Sequence, residues 1–176
     1  MADFNKVLIP GDIENGLVNT VVEIPEGSTL KVEWDRERAA FRLDRVEPNL
    51  FPKLTSYGFI PGTLDEDGDE LDTLIICEHP LPMGLWLEAK ILGVMKFEDD
   101  GEIDDKVVVR VADDRNEGNR LNTLDDLGET WKTQVEYHFT HYKDLKKPGN
   151  TNVLGWGDIE EAKQIINSCI ERFNNK

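Results

Sequence analysis

Apolar and polar residues alternate with period two through most of the first 111 positions, and helical spacing comes only later. The segment 18–24, Val18 to Ile24, ends at Pro25 and predicts a strand. Residues 30–34, Leu-Lys-Val-Glu-Trp, alternate, as do Ala40 to Leu43 after the polar turn 35–38, which predicts a hairpin. Segments 57–60, 71–77, 85–97 and 106–111 extend the strand series, punctuated by Gly and Pro. Gly93 inside the long 85–97 run marks a bulge or bend where a sheet curls. From near Thr130, Trp131, Val135, Phe139, Tyr142 and Leu145 recur every three or four residues, and Pro148-Gly149 stops that helix. A last helix starts with Asp158 as N-cap and carries Ile159, Ala162, Ile166, Cys169, Ile170 and Phe173 on one stripe. Six or seven strands followed by two helices imply an α+β fold: a small closed or curled β-barrel with two main C-terminal helices packed outside.

The chain has 176 residues, no repeat and no linker-like tract, so we expect one domain over residues 1–176. Purely apolar runs such as Leu74 to Cys77 are too short to span a membrane, and the N-terminus lacks the basic-then-apolar layout of a signal peptide. Thirty-six acidic residues against 20 basic ones leave a formal charge of -16. That balance argues against nucleic acid and against an anionic membrane as partners, since both need basic surface. Cys77 and Cys169 sit among apolar neighbours and read as buried free thiols in a reducing cytoplasm.

The acidity is concentrated. Residues 65–72 (DEDGDELD) and 98–105 (EDDGEIDD) hold six carboxylates each, 12 of the 36 in two short segments. Solvated turns account for any one such run. Two clusters flanking strands also suit a divalent cation, which relieves carboxylate repulsion. Asp67 and Asp69, two apart, point the same way on an extended backbone, and Asp72 enters just before an apolar strand. Three carboxylates at this spacing suit Mg²⁺ or Mn²⁺ over Zn²⁺. An EF-hand read from Asp65 fails, because Glu70 and Ile76 stand where Gly and Glu are needed. The second cluster offers Asp99 and Asp104 followed by Lys106, either half of a metal–phosphate site or a solvated hairpin tip. Lys31 and Glu33 share one strand face, with Arg45 on the partner strand and Glu23 on the preceding one, a set that a plain cross-strand pair also explains. His138 and His141 lack a third ligand nearby and do not suggest zinc.

Taken together, VVEIP (21–25), LKVEWD (30–35), LDR (43–45), YGFIPGT (57–63), DGDELD (67–72), the Gly93 to Lys106 segment, HYKDL (141–145) and GW (155–156) resemble the soluble family I inorganic pyrophosphatases of the short bacterial type. The resemblance runs nearly the full length. It implies an oligonucleotide-binding-like barrel, commonly a homo-hexamer, that hydrolyses inorganic pyrophosphate to two phosphates with metal-activated water and several Mg²⁺ per site, Mn²⁺ being the other admissible ion. Carried over, Asp67, Asp72 and Asp104 hold activating metals and Asp99 a metal arriving with substrate. Asp69 accepts a proton from the attacking water or orients it, and Glu23 and Glu33 complete the acidic rim. Lys31, Arg45, Tyr57, Lys106, Tyr142 and Lys143 hold phosphate oxygens.

The chain departs from the family's usual YPxNYG by reading Lys53-Leu54-Thr55-Ser56-Tyr57-Gly58, with Lys53 in place of a phosphate-contacting tyrosine. Two readings of Lys53 stand: a point charge on phosphate, or a side chain directed to solvent. Glu70 replaces the usual Pro and Thr73 an apolar residue, both tolerable at a turn and a strand start. A reading from another class is a non-catalytic module binding divalent cations or polyphosphate, with turnover lost through the altered 53–56 stretch.

Overall fold

The computed structural model describes residues 3–176. In chain order these form α1 (Phe4–Val7), β1 (Leu17–Ile24), β2 (Leu30–Asp35), β3 (Ala40–Val46), β4 (Ser56–Phe59), β5 (Asp72–Ile76), β6 (Trp86–Asp99), β7 (Glu102–Ile103) and β8 (Lys106–Val111). Then come α2 (Gly128–His141), β9 (Thr151–Gly157) and α3 (Ile159–Asn174). Strands β1, β4, β5, β8 and β6 pair in that order, and β6 returns to β1, which closes a five-stranded barrel. Every junction is antiparallel except β5–β8, which is parallel. The fold class expected from patterning is therefore the one observed, with α2 and α3 outside the barrel.

Both faces of the barrel strands are packed, which explains why β8 reads Val-Val-Val instead of alternating. Val107 and Val109 join a cluster with Ala162, Ile166 and Cys169 of α3. Val108, between them, joins Val135, Phe139 and Tyr142 around α2. A third cluster sets Phe4 of α1 against Trp34 and Phe59, fastening the β2–β3 hairpin beside β1. Gly93 is the bulge expected within the long strand: the β6–β8 register slips between Ile91 and Gly93. A Cβ there would collide with Leu124 and come within 2.6 Å of the Gly157 carbonyl, so the bend admits only glycine.

Several expectations need correction. The last third is not purely helical, because β9 intervenes and pairs with β6. Leu145 does not share the buried stripe of α2. The helix ends at His141, the chain turns, and Leu145 is 70 % exposed. Cys169 is buried and Cys77 only half-buried; both are free thiols. The Asp158 N-cap stands as expected, its carboxylate accepting the Glu161 N–H at 2.9 Å.

Candidate active site

One cleft of ≈160 Å³ opens where the hairpin β2–β3, the β4–β5 end of the barrel, the β6–β8 connection and the end of α2 meet. That volume is small beside the roughly 300–1,000 Å³ of pockets for drug-sized ligands, and suits a compact anion. Every side chain singled out from the sequence lines it: Glu23, Lys31, Glu33 and Arg45; Tyr57, Asp67, Asp69 and Asp72; Asp99, Asp104 and Lys106; Tyr142 and Lys143.

Register explains the convergence. Parallel pairing sets Lys106 opposite Asp72, and the short chain before β8 brings Asp104 to the same ammonium. Lys106 Nζ lies 2.7 Å from Asp72 Oδ2 and 2.5 Å from Asp104 Oδ1 and is almost fully buried. Burial opposes its charge, but the two carboxylates outweigh that and hold its pKa well above the usual lysine value. Asp72 also accepts a short hydrogen bond from the Tyr57 hydroxyl. Its desolvation is outweighed by Lys106 and Lys31, so it stays below the usual carboxylate range.

Asp99 ends β6 at a two-residue turn whose Asp100 and Gly101 both have positive φ, and its Oδ2 pairs with Lys143. Its Oδ1 is buried with no partner. Asp67 and Asp69 do not lie on an extended backbone as expected. A tight turn carries them, closed by Asp65 N–H on the Asp69 carbonyl at 2.7 Å, and Asp67 Oδ1 accepts the Asp69 N–H at 3.0 Å. Both stay open to solvent at the mouth while protein atoms crowd one side. Partial burial first, then neighbouring carboxylates, push both above the ordinary aspartate range.

The hairpin contributes two cations directly across from each other, Lys31 and Arg45. Like charges in register repel, an arrangement suited to an anion between them. Arg45 is bonded to Asp44 and to Glu47, at 2.6 and 2.8 Å. Glu33 pairs across the hairpin with Arg42 at 3.1 Å and only loosely with Lys31 at 3.8 Å. Glu23 is not at the rim: it is 6 % exposed, accepts the Trp34 N–H at 2.6 Å, and is driven up to about 8 by burial, against the pull of Lys31. It binds the hairpin to β1.

Three further positions have roles that the sequence did not reveal. Glu70 is buried, ion-paired with Arg36 at 2.8 Å and bonded to Asn5, so the proline replacement anchors the loop. His138 is buried against Phe51 and Tyr142 and lowered to about 4 by desolvation, so it is a neutral packing group. Lys53 points into the cleft and not to solvent, 7 % exposed. Ser56 Oγ accepts the Glu26 and Leu81 N–H groups, and Lys53, Thr55 and Ser56 are buried, so the altered stretch is packed apart from the exposed Leu54.

Eight acidic and five basic side chains line the cleft. That excess, the unpartnered Asp99 Oδ1 and the raised aspartates at the mouth fit a hard, oxygen-seeking divalent cation. Among the described residues no three carboxylate, imidazole or thiol groups close on one point as a metal-ligand cluster. Lys106 and Tyr57 engage the oxygens for which a cation would compete.

Comparison with known proteins agrees with this chemistry. The family model described as inorganic pyrophosphatase matches residues 20–174. An inorganic pyrophosphatase of Neisseria meningitidis serogroup B is 60% identical over 176 residues, 100% of this chain and 99% of that protein. The Haemophilus influenzae protein of the same name is also 60% identical, across 100% of both chains. The crystal structure of an inorganic pyrophosphatase from Neisseria gonorrhoeae superposes with a TM-score of 0.96 at 59% identity, covering 98% of this chain and 99% of that one.

Proposed function

From the premise that this chain belongs to the inorganic pyrophosphatase family and hydrolyses inorganic pyrophosphate to two phosphates, we propose that the cleft is its active site and that Mg²⁺ is the divalent metal it uses. The observation that carries the assignment is the convergence of thirteen side chains from seven strands, the loops between them and the end of α2 on one small acid-rich cleft. The binding-only alternative loses its basis, since Lys53, Thr55 and Ser56 are packed in place and the relatives are named as pyrophosphatases.

Asp67, Asp72 and Asp104 would hold activating Mg²⁺, and Asp99, with its free Oδ1, a further ion arriving with substrate. Bound Mg²⁺ would lower the pKa of attacking water and offset the charge on pyrophosphate oxygens. Asp69, raised by burial and by Glu70 and Asp72, accepts a proton from that water or orients it. Lys31 and Arg45, facing each other across the hairpin, clamp the anion from one side. Lys106 and Lys143 approach it while still bonded to Asp72, Asp104 and Asp99, so they stabilise charge on the departing phosphate without rearranging far. Burial raises both Tyr57 and Tyr142, which keeps the phenols protonated as hydrogen-bond donors. Losing one such donor costs ~3 kcal/mol, about a hundredfold in rate.

Residues 1–176 act as one domain in this reading. Cytoplasmic residence is supported by the unpaired thiols of Cys77 and Cys169. A homo-oligomer, a hexamer by resemblance, is supported by exposed apolar side chains such as Val46, Leu50 and Leu145. Calorimetric titration of Mg²⁺ tests the metal assignment: Asp72→Asn should bind at least tenfold more weakly than the unaltered chain. Equal affinities would remove Asp72 from the ligand set.

A further inference from the structure

Five cations line the cleft, and four begin with a carboxylate partner. Lys31 faces Glu33, Arg45 is bonded to Asp44 and Glu47, Lys106 to Asp72 and Asp104, and Lys143 to Asp99. The fifth, Lys53, makes no side-chain hydrogen bond or ion pair among the described residues. Its Nζ lies over aromatic faces instead, 4.8 Å from the ring centre of Tyr57, 5.5 Å from Tyr142 and 5.8 Å from Phe139. The acids with most influence on it are already engaged: Glu47 is held by Arg45, and Asp72 by Lys106 and Tyr57. His138, also close, is a neutral imidazole and offers no charge.

Burying a lysine without a counter-charge is costly, and ring faces compensate only in part. Desolvation and the nearby Lys31 push Lys53 down to about 7. Such a side chain stabilises the protein poorly by itself. A phosphate oxygen delivered to the cleft would supply the missing partner, with no existing ion pair to break.

We propose that Lys53 is a substrate- and product-binding residue, a fifth cation that meets a phosphate oxygen beside the other four and has no carboxylate partner of its own to share. The assignment rests on the pyrophosphatase reading for its ligand. The backbone at this position is held on both sides, since Lys53 N–H donates to the Ser28 carbonyl and the Lys53 carbonyl accepts from Gly27, both at 2.9 Å. The loop therefore holds the stem rigid, and the aromatic faces steer the ammonium.

The test is Lys53→Met, which keeps the length of the side chain and suits an aromatic environment. Two readouts are needed: steady-state hydrolysis of Mg-pyrophosphate, and equilibrium binding of inorganic phosphate by calorimetry. Lys53→Met should weaken phosphate binding about tenfold, equivalent to about 1.4 kcal/mol, and should raise KM more than it lowers kcat. Lys53→Cys alkylated with 2-bromoethylamine, which rebuilds an aminoethyl side chain, should regain most of the phosphate affinity. Treated unaltered chain controls for Cys77. Phosphate affinity within twofold of the unaltered chain in Lys53→Met, or in unalkylated Lys53→Cys should the methionine variant not fold, overturns the proposal. Loss of affinity that alkylation does not restore overturns it too, because it would be structural. An unaltered chain that binds phosphate through Lys53 but releases none from Mg-pyrophosphate would instead sink the pyrophosphatase reading alone.

Discussion

Replacing Lys106 by methionine would remove the ammonium that bridges Asp72 and Asp104 and leave the stem volume nearly unchanged. Lys106 is 2 % exposed and the side chains of Asp72 and Asp104 are 18 % and 17 % exposed, so water makes up for the lost charge only in part. Two carboxylates would then face each other in the wall of the cleft, each no longer compensated, a change that costs about 3–5 kcal/mol in buried ion pairs. The chain has one escape, which sets the upper limit. One aspartate can bind a proton, and at pH 7, three units above its ordinary value, that costs about 4 kcal/mol. For a chain of this size the loss corresponds to a Tm lower by about 8–16 °C. The pH dependence has a definite sign. In the variant an aspartate has its folded pKa raised, so its destabilisation is full above that value and fades as pH falls towards the unfolded value. In the unaltered chain Asp72 is depressed, so its stabilisation is present above the unfolded value and fades on acidification. Between pH 7 and 5.5 only the first trend acts, and it narrows the gap to about 2 kcal/mol at pH 5.5; the second sets in below the ordinary aspartate value. Thermal melts of both proteins in EDTA at pH 5.5, 7 and 8 measure it. A Tm difference below 3 °C at pH 8, or one that widens on acidification, would show that the Lys106 bridge holds no such energy.

Lys53 gives the opposite sign. Its proton stays on the unfolded chain up to 10.5 but leaves the folded one near 7, so the cost of burying it is complete below pH 7 and vanishes as pH rises to 10.5. Lys53→Met is therefore expected to be more stable by about 2–5 kcal/mol at pH 6.5, with the advantage gone by pH 10.5, as read from urea unfolding at the two values. Gly93→Ala should drive a methyl into Leu124 and the Gly157 carbonyl, loosen the β6–β8–β9 junction and cost about 2–4 kcal/mol; unchanged thermal melts would show that the bend yields easily.

The strands of the barrel were legible because their residues alternate or are apolar throughout, and the β2–β3 hairpin because both arms keep period two around a polar turn. β9 escaped because Thr-Asn-Val-Leu-Gly-Trp-Gly has neither pattern: it lies against β6 with a slipped register at Lys96/Phe97, and two glycines interrupt it. Leu145 failed for a different reason. Spacing extends a stripe indefinitely, whereas the helix stops when its chain turns at His141. The site was only half legible. Local spacing suggested Asp67, Asp69 and Asp72 as one group, and the resemblance joined them to distant residues. The parallel register of β5 with β8, which puts Lys106 between Asp72 and Asp104, depends on how the barrel closes, and no local pattern encodes it. Glu23 has the same explanation: an acidic residue before Pro25 reads as a rim group until the hairpin folds over it.

If this acid-rich cleft hydrolyses pyrophosphate with a divalent metal, turnover needs both the metal and Asp69. Orthophosphate release from pyrophosphate by the purified chain, with Mg²⁺ and then with excess EDTA, tests it most directly when run beside Asp69→Asn. Rapid release that needs Mg²⁺ and falls by about 10²–10⁴ in Asp69→Asn is expected. Release that persists in EDTA, or an Asp69→Asn rate equal to that of the unaltered chain, would contradict it.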